Sequence, residues 1–301
     1  MDRILVVDKP RGLTSHDVVE RIRRSTRAAK VGHAGTLDPT ATGVLLILTG
    51  KATRLAQFLT ETSKEYRGHM LLGRTTDSQD LAGRVLTERA CGTVTREDVE
   101  RAFARFSGGI DQIPPMVSAI KHHGAPLYAL ARKGIVVERQ PRRVFVERLT
   151  LLAFASPEVE FELVCSKGTY VRTIAADVGE ALGCGACLGA LERRRVGSFS
   201  IDGALPLRDV EALGRDIGAA GCSMLESLPG FPVLMVDPGE ASLLASGSAI
   251  TVPAGRVAAA TGEHVRVTRD GVRLLAIGRT SPGPAGAGAL VVQPVRVFEP
   301  V

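Results

Sequence analysis

The stretch "VGHAGTLDPTATG", residues 31–43, constrains this chain more than any other. Gly35, Pro39 and Gly43 break helices, and Thr36, Thr40 and Thr42 favour caps, strands or turns. It reads as an ordered loop whose polar side chains are aimed at something. Regular structure flanks it on both sides. "ILVVDKPRG" begins as an apolar strand and ends in a turn. "TSHDVVERIRRSTRA" reads as a helix, with Thr14 and Asp17 forming a capping box and Val18, Val19 and Ile22 an apolar face. Downstream, "VLLILTG" is a buried strand, "KATRLAQFLT" a short helix and "KEYRGHMLLG" a strand.

The same alternation continues. "TREDVERAFARFSGG" is a helix capped by Thr95 and Asp98, with Val99, Ala102, Phe103 and Phe106 as its stripe and Gly108–Gly109 as its stop. "RRVFVERLTLLAF" and "EVEFELVCSKG" are strands, and "TYVRTIAADVGEALG" is a helix starting close to the end of the second. Past residue 230 the texture changes to a strand-turn-helix passage, then short strands near 256–260, 264–268, 272–278 and 290–298. A Gly/Pro/Ala-rich hairpin loop is expected at 280–290. The expected architecture is a large mixed α/β domain over residues 1–230 and a small β-rich module over 231–301.

Several function classes recede. No apolar stretch reaches the ~18–20 residues of a membrane span, and the N-terminus lacks the apolar centre and cleavage site of a signal peptide. A soluble cytoplasmic protein is the simplest expectation. The five cysteines are odd in number and scattered, which argues against a disulfide framework. The CxxC "CGAC" at 184–187 has no second ligand pair at zinc spacing, so no metal is expected. The formal charge of +6 suits a polyanionic partner without requiring one.

Two places offer chemistry. Asp38 either caps the turn before Pro39 or serves as a lone carboxylate nucleophile on a rigid loop. A nucleophilic carboxylate in a pocket needs a cation close by, and "SKGTYVRT" at 166–173 supplies Arg172. On a strand end, Tyr170 and Arg172 would project to one face, Arg172 pairing with Asp38 and Tyr170 lining the pocket. Tyr66, set among charges in "SKEYRG", is either a half-buried rim residue or a ring that stacks on a planar group and offers its hydroxyl for proton transfer. Basic residues cluster at Lys9 and Arg11, along the first helix, and at Arg193–Arg195. Each cluster is either a solvated face or part of a phosphate-tracking surface.

These pieces in this order resemble the TruB family of tRNA pseudouridine synthases. The resemblance runs from about residue 4 to about 230 through "DKPRGLTSHDVV", "KVGHAGTLDPTATGVLLILTGKATRL", "SKEYRGHMLLGRTTDSQDLAGRV", "PPMVSAIKHHGAPLYALARKG" and "CSKGTYVRTIAADVGEALG". The C-terminal passage resembles the family's PUA-like RNA-binding module. The resemblance implies a mixed, largely antiparallel sheet flanked by helices, and isomerisation of the T-loop uridine (U55) of tRNA to pseudouridine on a flipped-out base, with no cofactor. It casts Asp38 as the nucleophile, Arg172 as its partner, Tyr66 as the tyrosine stacked on the base and Tyr170 as a second pocket tyrosine. His33 becomes the residue that fills the gap in the T loop, and Lys9 and Pro10 buttress the catalytic loop. It also implies a chain working as a monomer without obligate protein partners. "ERRRVGSF" departs from the family pattern at Glu192 and Ser198, at what is expected to be an RNA-contacting helix. "TDSQD" is a loose version of its motif, leaving Asp77 and Asp80 to structure a loop. A non-catalytic RNA-binding module and a guide-RNA-dependent synthase subunit are the rivals.

Overall fold

A computed structural model describes residues 2–118, 120–122, 124–283 and 288–299. Its larger sheet is built from β1 (Arg3–Lys9), β2 (Val31–Ala34), β3 (Thr42–Thr49), β4 (Lys64–Leu72), β5 (Gly108–Gln112), β6 (Arg142–Ala155), β7 (Glu158–Cys165) and β8 (Ala186–Val196). The order across it is β1-β3-β8-β4-β7-β6-β5, with β2 paired to β3. These pairings are antiparallel except β8 against β3. The expected mixed, largely antiparallel sheet is therefore present. Helices α1 (Ser15–Thr26), α2 (Ala56–Thr60), α3 (Arg96–Arg105) and α4 (Val171–Ala181) accompany it.

Local chemistry explains these elements. Both capping boxes form, Thr14 with Asp17 on α1 and Thr95 with Asp98 on α3, each contributing about 1 kcal/mol. The unbroken apolar run of β3 follows from burial on both faces. Leu45 and Ile47 pack in one core with Val18, Val19 and Ile22 of α1. Val44, Leu46 and Leu48 point the other way, into a second core shared with Leu274, Ile277 and Phe298 of the C-terminal region. Strand alternation sends neighbours to opposite sides, so a strand covered on both faces must be apolar throughout.

The C-terminal sheet consists of β9 (Val233–Met235), β10 (Ile250–Pro253), β11 (His264–Thr268), β12 (Ala276–Pro282) and β13 (Ala289–Val297), in the order β9-β11-β12-β13-β10. Helix α5 (Pro238–Ala245) packs beside it, and Leu234, Leu244, Val252, Val265 and Val292 lie in its own core. Sequence expectation fails in detail here. No strand covers 256–260, where Ala254–Arg256 is a 3-10 turn and the strand lies earlier, at β10. Residues 284–287 of the expected hairpin loop fall outside the described residues. Among the described residues no helix is long and apolar enough to cross a membrane.

The 31–43 stretch is not all loop. Val31–Ala34 forms β2, with His33 opposite Ile47, and the irregular part begins at Gly35. Gly43 sits where β8 meets β3, at φ +96°, and a Cβ there would lie 2.3 Å from the Arg193 carbonyl oxygen. Only glycine permits that approach.

Candidate active site

The loop after β2 carries Asp38 into a cleft of ≈ 390 Å³ that Tyr66, Tyr170 and Arg172 also line. Arg172 Nε donates to Asp38 Oδ2 at 2.9 Å and its Nη2 to Oδ1 at 3.4 Å. The same guanidinium donates to the carbonyls of Ser78 and Val117, both at 2.8 Å. Asp80 Oδ2 lies 4.0 Å from Arg172 Nε, giving the arginine a second carboxylate. Arg172 is 4% exposed, whereas the Asp38 side chain keeps 39% of its surface open. The cation is thus fixed, and the carboxylate it orients faces the cleft.

Tyr170 and Arg172 do not share a strand face. Tyr170 is the N-cap of α4, and Arg172 lies within its first turn. The helix has no side-chain cap, and Gln112, at the end of β5 and 1% exposed, instead pins the backbone of the N-cap residue itself. Its Oε1 accepts the Tyr170 N–H at 2.7 Å, and its Nε2 donates to the Tyr170 carbonyl at 3.0 Å.

Tyr66 projects inward from β4, opposite Arg193 of β8, and is 7% exposed. Burial pushes its phenol pKa up, and the Arg193 guanidinium beside the hydroxyl pulls the other way. Arg193 overturns the surface expectation for its cluster. "ERRRV" is the end of strand β8, not a helix, and Arg193 is 1% exposed. Its Nε donates to the Val44 carbonyl at 2.7 Å, and Nη1 and Nη2 donate to those of Thr36 at 3.2 Å and Gly35 at 2.9 Å. It supports the Asp38 loop from beneath. Its neighbours Arg194 and Arg195 pair with Glu192 and Glu65.

Lys9 is fully buried. Its Nζ donates to the carbonyls of Pro10 at 2.9 Å and Leu13 at 2.8 Å, while Gly12 N–H reaches the Pro39 carbonyl at 2.7 Å. The turn after β1 thereby braces the Asp38 loop. Burial pushes the Lys9 ammonium down to about 8, Asp38 opposing and Arg193 adding to the shift. Lys64 lines the cleft as well, donating to the carbonyls of Thr60 and Thr62. Burial, then Arg193, pushes it down to about 8. Asp77 and Asp80 accept bonds within their own loop, from the backbone N–H groups of Arg84 and Ala82.

His33 stays apart from the cleft wall, half-buried on β2. Its Nδ1 has no hydrogen-bond partner among the described residues, and burial, then Arg193, holds its pKa down. The sequence reading gives no role to Lys64 or Gln112 and takes Arg193 only as part of a basic cluster. Lys64 had a signal, since it stands two residues before Tyr66 and must share its strand face. The others did not, because side-chain bonds to distant backbone leave no local pattern. All five cysteines are free thiols, and among the described residues no acidic, His or Cys group is arranged to hold a metal.

The sequence of this chain matches a known family. Residues 23–171 match the TruB family pseudouridylate synthase N-terminal domain, and 172–219 match the tRNA pseudouridylate synthase B C-terminal domain. The chain is 48% identical to tRNA pseudouridine synthase B of Syntrophotalea carbinolica, over 79% of this chain and 78% of that protein. The chain belongs to the TruB family. It is thus a pseudouridine synthase, an isomerase. Its counterpart in Burkholderia lata, also called tRNA pseudouridine synthase B, is 43% identical over 97% of this chain and 91% of that protein. A chain of a solved Cbf5-Nop10-Gar1 complex shares the fold at TM-score 0.77 and 26% identity, covering 99% of this chain and 85% of that one. A chain of an H/ACA RNP bound to a substrate RNA does so at TM-score 0.75 and 24% identity, covering 99% of this chain and 85% of that one. The fold is that of a pseudouridine synthase, with a PUA-like C-terminal sheet.

Proposed function

We propose that this TruB-family enzyme isomerises the T-loop uridine (U55) of tRNA to pseudouridine, with Asp38 as the nucleophile. One observation carries the proposal: a carboxylate open to the cleft, gripped by a buried arginine, stands beside a buried tyrosine. In the reaction the N1–C1′ bond breaks, the uracil turns, and a C5–C1′ bond forms. C5 loses a proton and N1 gains one, so nothing is oxidised or transferred. A carboxylate nucleophile and a group that moves a proton suffice. Asp38 is the nucleophile, and Arg172 holds it in orientation. Tyr66 stacks on the detached base, with its hydroxyl placed for proton movement, and Tyr170 lines the opposite wall. His33, outside the cleft, fills the space left in the T loop when the nucleotide flips out. Lys9 and Pro10 keep the Asp38 loop in place. The relatives named for tRNA support the substrate class.

Buried cations suit this task. Lys9, Lys64, Arg172 and Arg193 surround one open carboxylate, which leaves the cleft electropositive towards a polyanion. Binding should weaken with salt, log K falling by ~0.7 for each single-strand phosphate neutralised.

The test is to incubate the purified chain, and separately its Asp38→Asn variant, with an unmodified T-arm stem-loop RNA. Pseudouridine is then mapped by chemical labelling and primer extension. Product at one T-loop uridine with wild type only is expected. No product from either protein on bound RNA overturns the proposal. Because fold neighbours come from H/ACA RNP assemblies, turnover of the stem-loop without added guide RNA or protein also separates a stand-alone enzyme from a guided subunit.

A further inference from the structure

Helix α4 does not hold its own start. Its N-cap, Tyr170, offers no side-chain cap, and Thr169 just before it donates its hydroxyl to the Ser166 carbonyl at 3.0 Å. Uncapped helix starts fray. Yet Arg172, whose guanidinium grips Asp38, stands in this first turn.

The start is held from outside. Gln112, 1% exposed at the end of β5, accepts the Tyr170 N–H on Oε1 at 2.7 Å and donates from Nε2 to the Tyr170 carbonyl at 3.0 Å. One planar amide thus matches both backbone groups of one residue. The same Tyr170 carbonyl accepts the N–H groups of Thr173 and Ile174, both at 3.1 Å, so it is the first acceptor of the helix. The segment that follows Gln112 holds the far end of Arg172. Pro114 and Pro115 fix φ along it, and the Val117 carbonyl accepts from Arg172 Nη2 at 2.8 Å. An arginine side chain is long and has many rotamers, so its head keeps one place only when its root is fixed too. Gln112 fixes the root and Val117 the head, from one short segment. Gln112 itself does not line the cleft.

We propose that Gln112 is a positioning residue for the isomerisation, setting the Tyr170 backbone so that Arg172 meets Asp38 in the orientation the carboxylate needs. The inference rests on the roles proposed above for Asp38 and Arg172. Gln112 acts through Arg172 and not on the RNA.

The paired donor and acceptor supply a specific test. Gln112→Glu keeps the shape of the side chain. Ionised, the new carboxylate only accepts and repels the Tyr170 carbonyl; protonated, it again donates once and accepts once. Burial raises its pKa above the ~4.3 of a free glutamate. Single-turnover rates on the T-arm stem-loop are compared with wild type from about pH 5 to 8.5, well below the melting temperature. At high pH Gln112→Glu should be ~100-fold slower than wild type, the cost of a small misplacement around the reacting groups. That ratio should recover as pH falls. Gln112→Met, which makes neither bond, should be slow at every pH. Filter binding of RNA should match wild type in both, and in an Arg172→Lys background either change should cost little more. Wild-type rates in Gln112→Met, a Gln112→Glu ratio indifferent to pH, a loss carried by RNA affinity, or full additivity with Arg172→Lys each overturns the proposal. If Gln112→Met does not fold, Gln112→Glu decides, because its protonated form keeps both bonds. A wild-type rate in Arg172→Lys alone overturns the role given to Arg172, a result distinct from the others.

Discussion

The Asp38 loop and the C-terminal sheet are attached to the same strand by opposite means. The loop is held by directional bonds. Arg193 takes the carbonyls of Gly35, Thr36 and Val44, Ser15 Oγ accepts the Leu37 N–H at 2.8 Å, and Gly12 takes Pro39. The C-terminal sheet is held mainly by area, with Arg266 Nη1 adding one bond to the Leu225 carbonyl at 2.6 Å. Leu274, Ile277 and Phe298 share a core with Leu46, Leu48 and Phe58, and His264 packs edge-on against Phe58 with ring centroids 5.3 Å apart. Hydrogen bonds fix position to fractions of an ångström and fail abruptly when one partner goes. Apolar packing tolerates small shifts and loses energy gradually. The carboxylate proposed as the nucleophile is mounted in the first way, and the C-terminal sheet in the second.

The largest expected effect tests whether chemistry and binding part along this line. Asp38→Asn should abolish turnover while filter binding of T-arm RNA stays near wild type, because the change is isosteric. Strong loss of binding would make the loop a major affinity determinant. Tyr66→Phe comes next, with single-turnover rates falling ~10²–10⁴-fold if its hydroxyl moves a proton. An unchanged rate would leave only stacking. Arg193→Met keeps the bulk but leaves three carbonyls unpaired, each worth about 1–3 kcal/mol when buried and unsatisfied. A clear drop in urea-unfolding stability, with slowed turnover, is expected. Wild-type stability and rate together would show that the loop holds itself.

The sequence revealed the mountings unequally. Both capping boxes, the doubly buried run of β3 and the clustering of Asp38 with Arg172 were legible, because caps, periodicity and opposite charge are local or simple signals. Arg193 was not. In "ERRRV" three arginines stand in a row, and only the parallel contact of β8 with β3 at Gly43 decides which one is buried. Tyr170 and Arg172 were placed together for a mistaken reason, since a helix start, not a strand face, brings them into the cleft. Gln112 binds backbone 58 residues further along the chain, which no window of sequence can display.

The pH response sharpens the contrast further. Lys9 and Lys64 titrate near 8 in the folded chain and near 10.5 unfolded. Between those values the unfolded chain holds more protons, so these groups add stability as pH rises from about 8 towards 10.5, and nothing further above it. Urea melts at pH 7, 8.5 and 10 should show this gain shrinking in Lys9→Met. An identical pH slope would remove Lys9 from the account. Turnover should move oppositely, because losing an ammonium near Asp38 weakens the cationic setting of the carboxylate.

The smallest expected effect falls at the junction with the C-terminal sheet. The Arg54 guanidinium lies over the Phe298 ring, 5.3 Å from its centroid. Such a contact contributes about 0.5–1 kcal/mol at an exposed site, so Arg54→Gln should lower unfolding stability by that order. Turnover on a T-arm stem-loop should not change, since the surrounding apolar packing keeps the sheet docked and no bond from Arg54 reaches the Asp38 loop. A fall in kcat would break the comparison. It would mean that strand β3, which carries Leu46 on one face and Leu45 on the other, passes strain from the packed junction into the hydrogen-bonded loop. An unchanged kcat with a lowered melting temperature would establish that this contact stabilises the junction without reaching the Asp38 loop.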